Sequence, residues 1–320
     1  MSNNLTKQPP RKEEVVSKMS SPLKDSVATK TPHEEAVVTV IKPPRKRISG
    51  KSLLSFPYSL WMGAFIIIPL LMIVYYGFSS NSGSGFTFDN IKLISEPIYQ
   101  KALGLSLELS FVSTIICLLI AYPLALILKN MKLKSNSFIV LIMILPMWMN
   151  FLLRTIAWLN ILERNGIINS FLKALNLPTL NVINTPTAIV IGMVYNFLPF
   201  MILPIYNSLA KIDDNVINAA RDLGANSFIT FSKIIFPLSL PGVISGITMV
   251  FVPSLTTFVI SNVLGGSKIN LIGNLIEQKF QKENNWNAGS GLSLVLMIFI
   301  LISMTFIAKY DKEGDSTNVW

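Results

Sequence analysis

Six apolar segments, each long enough to cross a bilayer as a helix, constrain this chain more than any other feature. They run approximately over Phe56–Phe78, Leu103–Leu128, Phe138–Leu159, Thr187–Leu209, Leu238–Leu264 and Gly291–Ala308. Hydrocarbon holds no water, so each backbone N–H and C=O there must find its partner inside the protein, and runs of this length do so as helices. The expected fold class is therefore an all-α polytopic membrane protein with six transmembrane helices. Composition agrees: 51% of the 320 residues are hydrophobic and 14% charged, too little polar surface for a soluble domain.

Lys and Arg fall unevenly about the spans. With the N-terminal tail, Lys129–Ser137, Ala210–Pro237 and the C-terminus on one side, that side holds 19 and the other 7. An excess of this kind marks the cytoplasmic face, so both termini are expected in the cytoplasm. The tail from Met1 to Ser55 carries 11 Lys/Arg against 5 Asp/Glu, is rich in Pro and Ser, and shows no periodic apolar face. It reads as a disordered basic segment, residues 1–52, held near anionic headgroups. Being polar throughout, it does not form the apolar core of a signal peptide, and the first span is expected to direct insertion. The membrane-spanning body is expected over 53–309, with a short C-terminal tail over 310–320. The net charge of +10 follows from this placement and does not point to nucleic acid.

Several chemistries are excluded. One cysteine, Cys117, lies in an apolar run and one histidine, His33, in the tail, so neither a disulfide framework nor a Cys/His metal site can be assembled. The spans hold no catalytic cluster of His, Cys or carboxylates, which sets aside a membrane enzyme. "RKRISGKS" (Arg45–Ser52) ends like a phosphate-binding loop, but Arg45 stands where the first glycine belongs and no strand precedes it. If transport consumes ATP, another chain must supply the nucleotide site.

Two outer loops carry amphipathic patterns. "GIINSFLKALNL" (Gly166–Leu177) puts Ile167, Ile168, Phe171, Leu172 and Leu175 on one helical face; "NLIGNLIEQKF" (Asn270–Phe280) does the same with Leu271, Ile272, Leu275 and Ile276. Each is expected to lie on the membrane or cap the bundle, either as an ordinary connector or as a surface for an external partner.

The polar island "NAARDLGAN" (Asn218–Asn226) lies between the fourth and fifth spans. Asp213 or Asp214 can cap a short helix over Asn215–Leu223, and Gly224 is placed as the left-handed residue that ends it. Asn226 or Ser227 can cap a second helix, "SFITFSKIIF", expected to stop at Pro237. The second helix carries Phe228, Phe231, Ile234 and Ile235 as an apolar stripe, and the first carries Arg221 and Asp222. A mere connector would need no such stripe, so the pair reads as a compact knob over 213–237 that another protein can push.

"NAARDLGANSFITFSKIIFPLSLPGVISG" (Asn218–Gly246) resembles the EAA motif of ABC-importer permeases, through Ala219, Ala220, Gly224, Ile234 and Pro237. Asn218 replaces the usual Glu and Phe236 the usual Leu. "LPMWMNFLLRTIAWLNIL" (Leu145–Leu162), "YNFLPFMILPIYNSLAKID" (Tyr195–Asp213) and Val263–Leu296 are similar to the PotB-type permeases of spermidine/putrescine importers. The resemblance covers roughly Leu53–Ala308. It implies a MetI-like type I importer permease in a bacterial plasma membrane, itself non-catalytic and without bound cofactor. It further implies a PotC-type second permease, two PotA-type ATPases carrying ATP and Mg, and an extracellular PotD-type polyamine-binding protein. In such permeases these helices seat in the ATPase, which makes Asn218, Ala219, Ala220, Arg221, Asp222, Gly224, Phe228, Phe231, Ile234 and Pro237 the expected coupling residues.

A flexible polycation needs carboxylates, carbonyls or aromatic faces along its route. Glu108, Trp148, Arg154, Trp158 and Tyr195 are the candidates. Glu108 and Arg154 are the only charged residues within the spans; they serve the path, snorkel, or pair with each other. "GVISG" (Gly242–Gly246) allows close helix packing, either within the chain or against a second permease. Rival readings are an importer of another cation, an amino acid or an iron chelate, and a carrier driven by an ion gradient without an ATPase.

Overall fold

The computed structural model describes residues 57–80, 85–131, 145–266 and 268–315. The basic tail, the phosphate-loop-like run and the first part of the third span lie outside the described residues. The elements used below are α1 (Pro57–Phe78), α2 (Pro97–Asn130), α3 (Phe151–Leu162), α4 (Ile167–Ala174), α5 (Pro186–Ala210), α6 (Asp214–Asp222), α7 (Ser227–Thr256), α8 (Val259–Leu264), α9 (Ile272–Gln281) and α10 (Trp286–Asp315). Five of them, α1, α2, α5, α7 and α10, are long and apolar enough to cross a membrane. Among the described residues no strand occurs; Ser79 and Phe86 form one isolated bridge. The fold is all-α.

The bundle is built around α5, which packs on both α2 and α7, while α1 leans chiefly on α10. Over their most apolar stretches α5 is 56% buried and α1 only 6%, so α5 is the central post and α1 a peripheral helix. Apolar surface gains nothing by leaving lipid, so close approach and dispersion must hold such helices together. Glycine supplies that approach. A Cβ on Gly242 would lie 2.6 Å from the Pro204 carbonyl oxygen, and one on Gly246 would lie 2.7 Å from Met201 Sδ. Both glycines of "GVISG" therefore face α5 within the chain.

Prolines do not stop these helices. The second helix of the knob was expected to end at Pro237, yet α7 runs without a break from Ser227 to Thr256. A proline inside a helix loses one hydrogen bond and collides with the carbonyl four residues back, here that of Lys233. A π-helical turn over Phe231–Ile235 spans that position and widens the helix locally. α1 uses the same device, with a π turn over Gly63–Ile67 two residues ahead of Pro69. The third span is different: after a short helical piece at 145–148, the chain breaks at Met149–Asn150 and α3 begins afresh.

A second, smaller core at the far end gathers Tyr99 and Ala102 of α2, Leu255 of α7, Ile272 and Leu275 of α9, and Leu292 and Leu296 of α10. Polar contacts fix it. Asn274 Oδ1 accepts from Leu271 N–H (3.0 Å) and Ser261 Oγ–H (2.6 Å), and its Nδ2 donates to Asn262 Oδ1 (2.6 Å) and the Phe258 carbonyl (3.2 Å). Ser106 Oγ accepts from Ile272 N–H at 2.9 Å. α9 is thereby part of the bundle and not a free surface helix.

Candidate functional site

The knob between α5 and α7 is built from local capping. Of the two possible caps for α6, Asp213 does the work, its Oδ1 accepting from Asn215 N–H at 2.9 Å. At the other end Gly224 takes φ +84°, and two bonds close the turn: Gly224 N–H to the Arg221 carbonyl (2.9 Å) and Ala225 N–H to the Ala220 carbonyl (3.0 Å). That geometry needs a residue free to adopt the left-handed region. Nothing lies within 4 Å of where a Gly224 Cβ would sit, so the restriction comes from the backbone and not from space. Asn226 caps the next helix, its Oδ1 accepting from Ile229 N–H at 2.8 Å.

α6 buries Ile217 and Ala220 and exposes Asn218, Ala219, Arg221 and Asp222. The apolar stripe expected on the second helix divides. Phe228 is 75% exposed, but Phe231 and Ile235 pack against the chain's own core and Ile234 is half-buried. The π turn changes the rotation per residue, which turns the stripe inward after Phe228. The outward apolar surface is made instead by Leu223, 89% exposed, together with Phe228 and Val216. Pro237 is exposed at the base.

Two residues absent from the sequence-based candidates tie this knob to α2. Lys129 Nζ donates to the Ile212 carbonyl at 3.3 Å and lies 3.8 Å from Asp214 Oδ1, with its side chain only 11% exposed. Tyr122 shares a 2.7 Å hydroxyl hydrogen bond with buried Ser239. Its ring meets Phe231 edge-on at 5.8 Å and Phe236 at a tilt, also at 5.8 Å. The C-terminal end of α2 is thus fastened to both ends of the knob. Periodicity marks Tyr122 only as one more apolar residue on a span.

The pathway candidates separate into two groups. Trp158 of α3 packs edge-on against Tyr195 of α5 (5.2 Å, 63°), and Phe151 one helical stretch earlier meets Phe197 at 6.2 Å. Arg154 lies between them on α3, 7% exposed, its Cζ 5.9 Å from the Phe151 ring centroid. Glu108 and Trp148 are exposed, Trp148 by 73%. The Glu108–Arg154 ion pair considered above does not form: the ion pairs among the described residues are Asp89–Lys92, Lys129–Asp214 and Lys279–Glu283. Glu108 falls on the outward face of α2, in line with exposed Phe111, Val112, Ile115 and Leu119, while the face toward α5 carries small and apolar side chains.

Residues 53–312 match the family described as binding-protein-dependent transport system inner membrane components. The chain belongs to that family. It is 36% identical over 259 residues to the spermidine/putrescine transport system permease protein PotB of Haemophilus influenzae, covering 79% of this chain and 91% of that protein. It is also 36% identical over 245 residues to PotB of Escherichia coli K12, covering 74% and 89%. Among solved structures, a bacterial ABC transporter involved in the import of the acidic polysaccharide alginate superposes with a TM-score of 0.68 at 15% identity, over 84% of this chain and 96% of that one. The fold is that of a MetI-like ABC-importer permease. The described residues hold a polar knob between two spans and a central close-packed bundle.

Proposed function

We propose that this permease is one transmembrane half of an ATP-driven importer of polyamines, spermidine and putrescine. The observation that carries this reading is 36% identity to a spermidine/putrescine permease over 91% of that protein's length. A PotC-type permease forms the other half of the path. Two PotA-type ATPases bind ATP and Mg and grip the knobs, and a PotD-type binding protein delivers polyamine from outside. The termini and the knob face the cytoplasm, where the Lys/Arg excess lies.

The knob's geometry supports the coupling role. Exposed Leu223 and Phe228, flanked by Arg221 and Asp222, offer a small apolar contact rimmed by charge. Nucleotide can bias the bundle only through unequal affinity for its two states, and the knob transmits that bias because it is not free to swivel. Its exit continues directly into α7, and Tyr122 and Lys129 fasten it to α2. A displacement imposed there therefore moves two spans together.

The test is ATP-dependent uptake of labelled spermidine into vesicles containing the reconstituted complex, with and without this chain. Uptake that needs the chain, the ATPase and ATP supports the proposal. Uptake of amino acids or iron chelates in preference to spermidine would replace the substrate, and uptake without the ATPase would replace the mechanism.

A further inference from the structure

Buried polar side chains in the described bundle are Asn, Ser and Thr with one exception. Arg154 is the only charged residue among them, at 7% exposure. Its Nε and Nη1 are buried without a hydrogen-bond partner, and no ion pair among the described residues includes it. The face of Phe151 lies 5.9 Å from its Cζ. A guanidinium held out of water without an anion is strongly unfavourable, far more than a ring face offsets.

The backbone adds to the imbalance. The third span breaks at Met149–Asn150, where the chain is exposed, and α3 turns Arg154 inward one turn later. Asn150 Oδ1 caps it by accepting from Leu152 N–H (2.8 Å) and Leu153 N–H (3.3 Å). Side chains on a helix lean toward its N-terminus, and the position of the Arg154 Cζ over Phe151, three residues earlier, shows that lean. A cationic side chain thus lies over the positive end of a helix dipole. Two positive features converge where a polyamine's ammonium groups would be repelled, so the site is not built for the substrate itself. It suits a carboxylate, whose two oxygens match the guanidinium's planar fork. The break is open to the exterior of this chain, with Met149, Leu152 and Leu153 57%, 47% and 63% exposed, so a group carried by a second permease can approach it.

We propose that Arg154 is the receptor for a carboxylate that the second permease inserts at the broken third span, locking the two halves of the importer together. This rests on the reading of the chain as half of a two-permease path. With the pair made, the guanidinium is neutralised, and the aromatic pair Trp158–Tyr195 one turn further along α3 is left beside a neutral wall instead of a cation.

The experiment uses the whole reconstituted complex, with Arg154→Lys, Arg154→Gln and Arg154→Glu in this chain. Membrane yield of the chain, co-purification of the second permease and spermidine uptake are measured, the wild-type complex fixing the uptake that belongs to the importer as such. Arg154→Lys is expected to keep the second permease bound. Arg154→Gln and Arg154→Glu should lower its retention by roughly thirtyfold or more, since each leaves a buried carboxylate without its partner. One acid-to-lysine change within the spans of the second permease should restore retention to the Arg154→Glu chain. Wild-type retention and uptake in Arg154→Gln, or failure of every such reversal to restore the Arg154→Glu complex, overturns the proposal. If the Arg154→Glu complex assembles normally, and glutamate competes with spermidine uptake only in the wild type, the carboxylate belongs to a free solute and the assignment to the partner falls. A wild-type complex that takes up no spermidine removes the polyamine reading without touching the assembly result.

Discussion

The knob and α9 are both short amphipathic segments outside the long spans, and they treat their apolar residues in opposite ways. α9 turns Ile272 and Leu275 into the chain's own second core, Leu271 at its N-cap enters the first, and the helix is secured through Asn274 and Ser106. The knob keeps Leu223 and Phe228 outside and spends its hydrogen bonds on caps that shape it, at Asp213, Gly224 and Asn226. An apolar face covered by its own chain stabilises that chain. One left open, on a segment that is otherwise well fastened, is available to another protein. α4 stands between the two: Asn169 pins it through hydrogen bonds to the backbone of Glu163 and Leu180, yet Ile167 and Phe171 are 71% and 65% exposed.

The largest test of this contrast is Gly224→Trp. A side chain at φ +84° costs roughly 1–2 kcal/mol in backbone strain, too little to unfold the bundle, but the indole projects into the contact surface. Insertion and thermal stability are expected to stay near wild type while ATP-dependent uptake falls to background; normal uptake would show that the knob is not gripped. Next, Asn274→Ala strips partners from four groups, two of them in fully buried bonds, and detergent-solubilised protein is expected to lose on the order of 3 kcal/mol of stability. A neutral result would mean that α9 is not held as described. Leu223→Ser and Phe228→Ser are expected to leave the melting temperature unchanged and to reduce ATPase co-purification by about tenfold, as for apolar anchors at an interface.

Tyr122→Phe removes only a hydroxyl and should cost about 0.6 kcal/mol, the usual size of such a bond between membrane helices. Its informative readout is the ratio of ATP hydrolysed to spermidine imported, expected to rise if Tyr122 helps to carry the knob's motion into α2. Smallest of all, Phe171→Ser on α4 should change stability by no more than about 0.5 kcal/mol. A larger loss would show that its exposed face is covered in the assembled importer.

Much of this was legible beforehand. Span-length runs predicted α1, α2, α5, α7 and α10, because an apolar stretch in hydrocarbon has few alternatives to a helix. The caps, narrowed to Asp213 or Asp214 and to Asn226 or Ser227, and the left-handed Gly224 were readable too, since each depends on residues only a few positions away; the structure selects Asp213 and Asn226. The passage of α7 through Pro237 was not, because a π turn accommodates the ring through a change of hydrogen-bond register that residue preference does not encode. Nor was the split of the Phe228–Ile235 stripe, which follows from that turn. Tyr122 and Lys129 escaped notice because their partners, Ser239 and Ile212, lie 117 and 83 positions away.

The amino-acid order by itself therefore determined that this protein crosses a membrane as helices and that a capped polar knob interrupts them. These follow from interactions within a turn or two of the chain and from the demands of the bilayer. Only the tertiary structure decided which amphipathic faces are covered, that Gly242 and Gly246 serve α5, and that Arg154 is buried without an anion while Glu108 faces outward. Each of these depends on how one helix is rotated against another, which is set by side-chain shape across contacts distant in sequence.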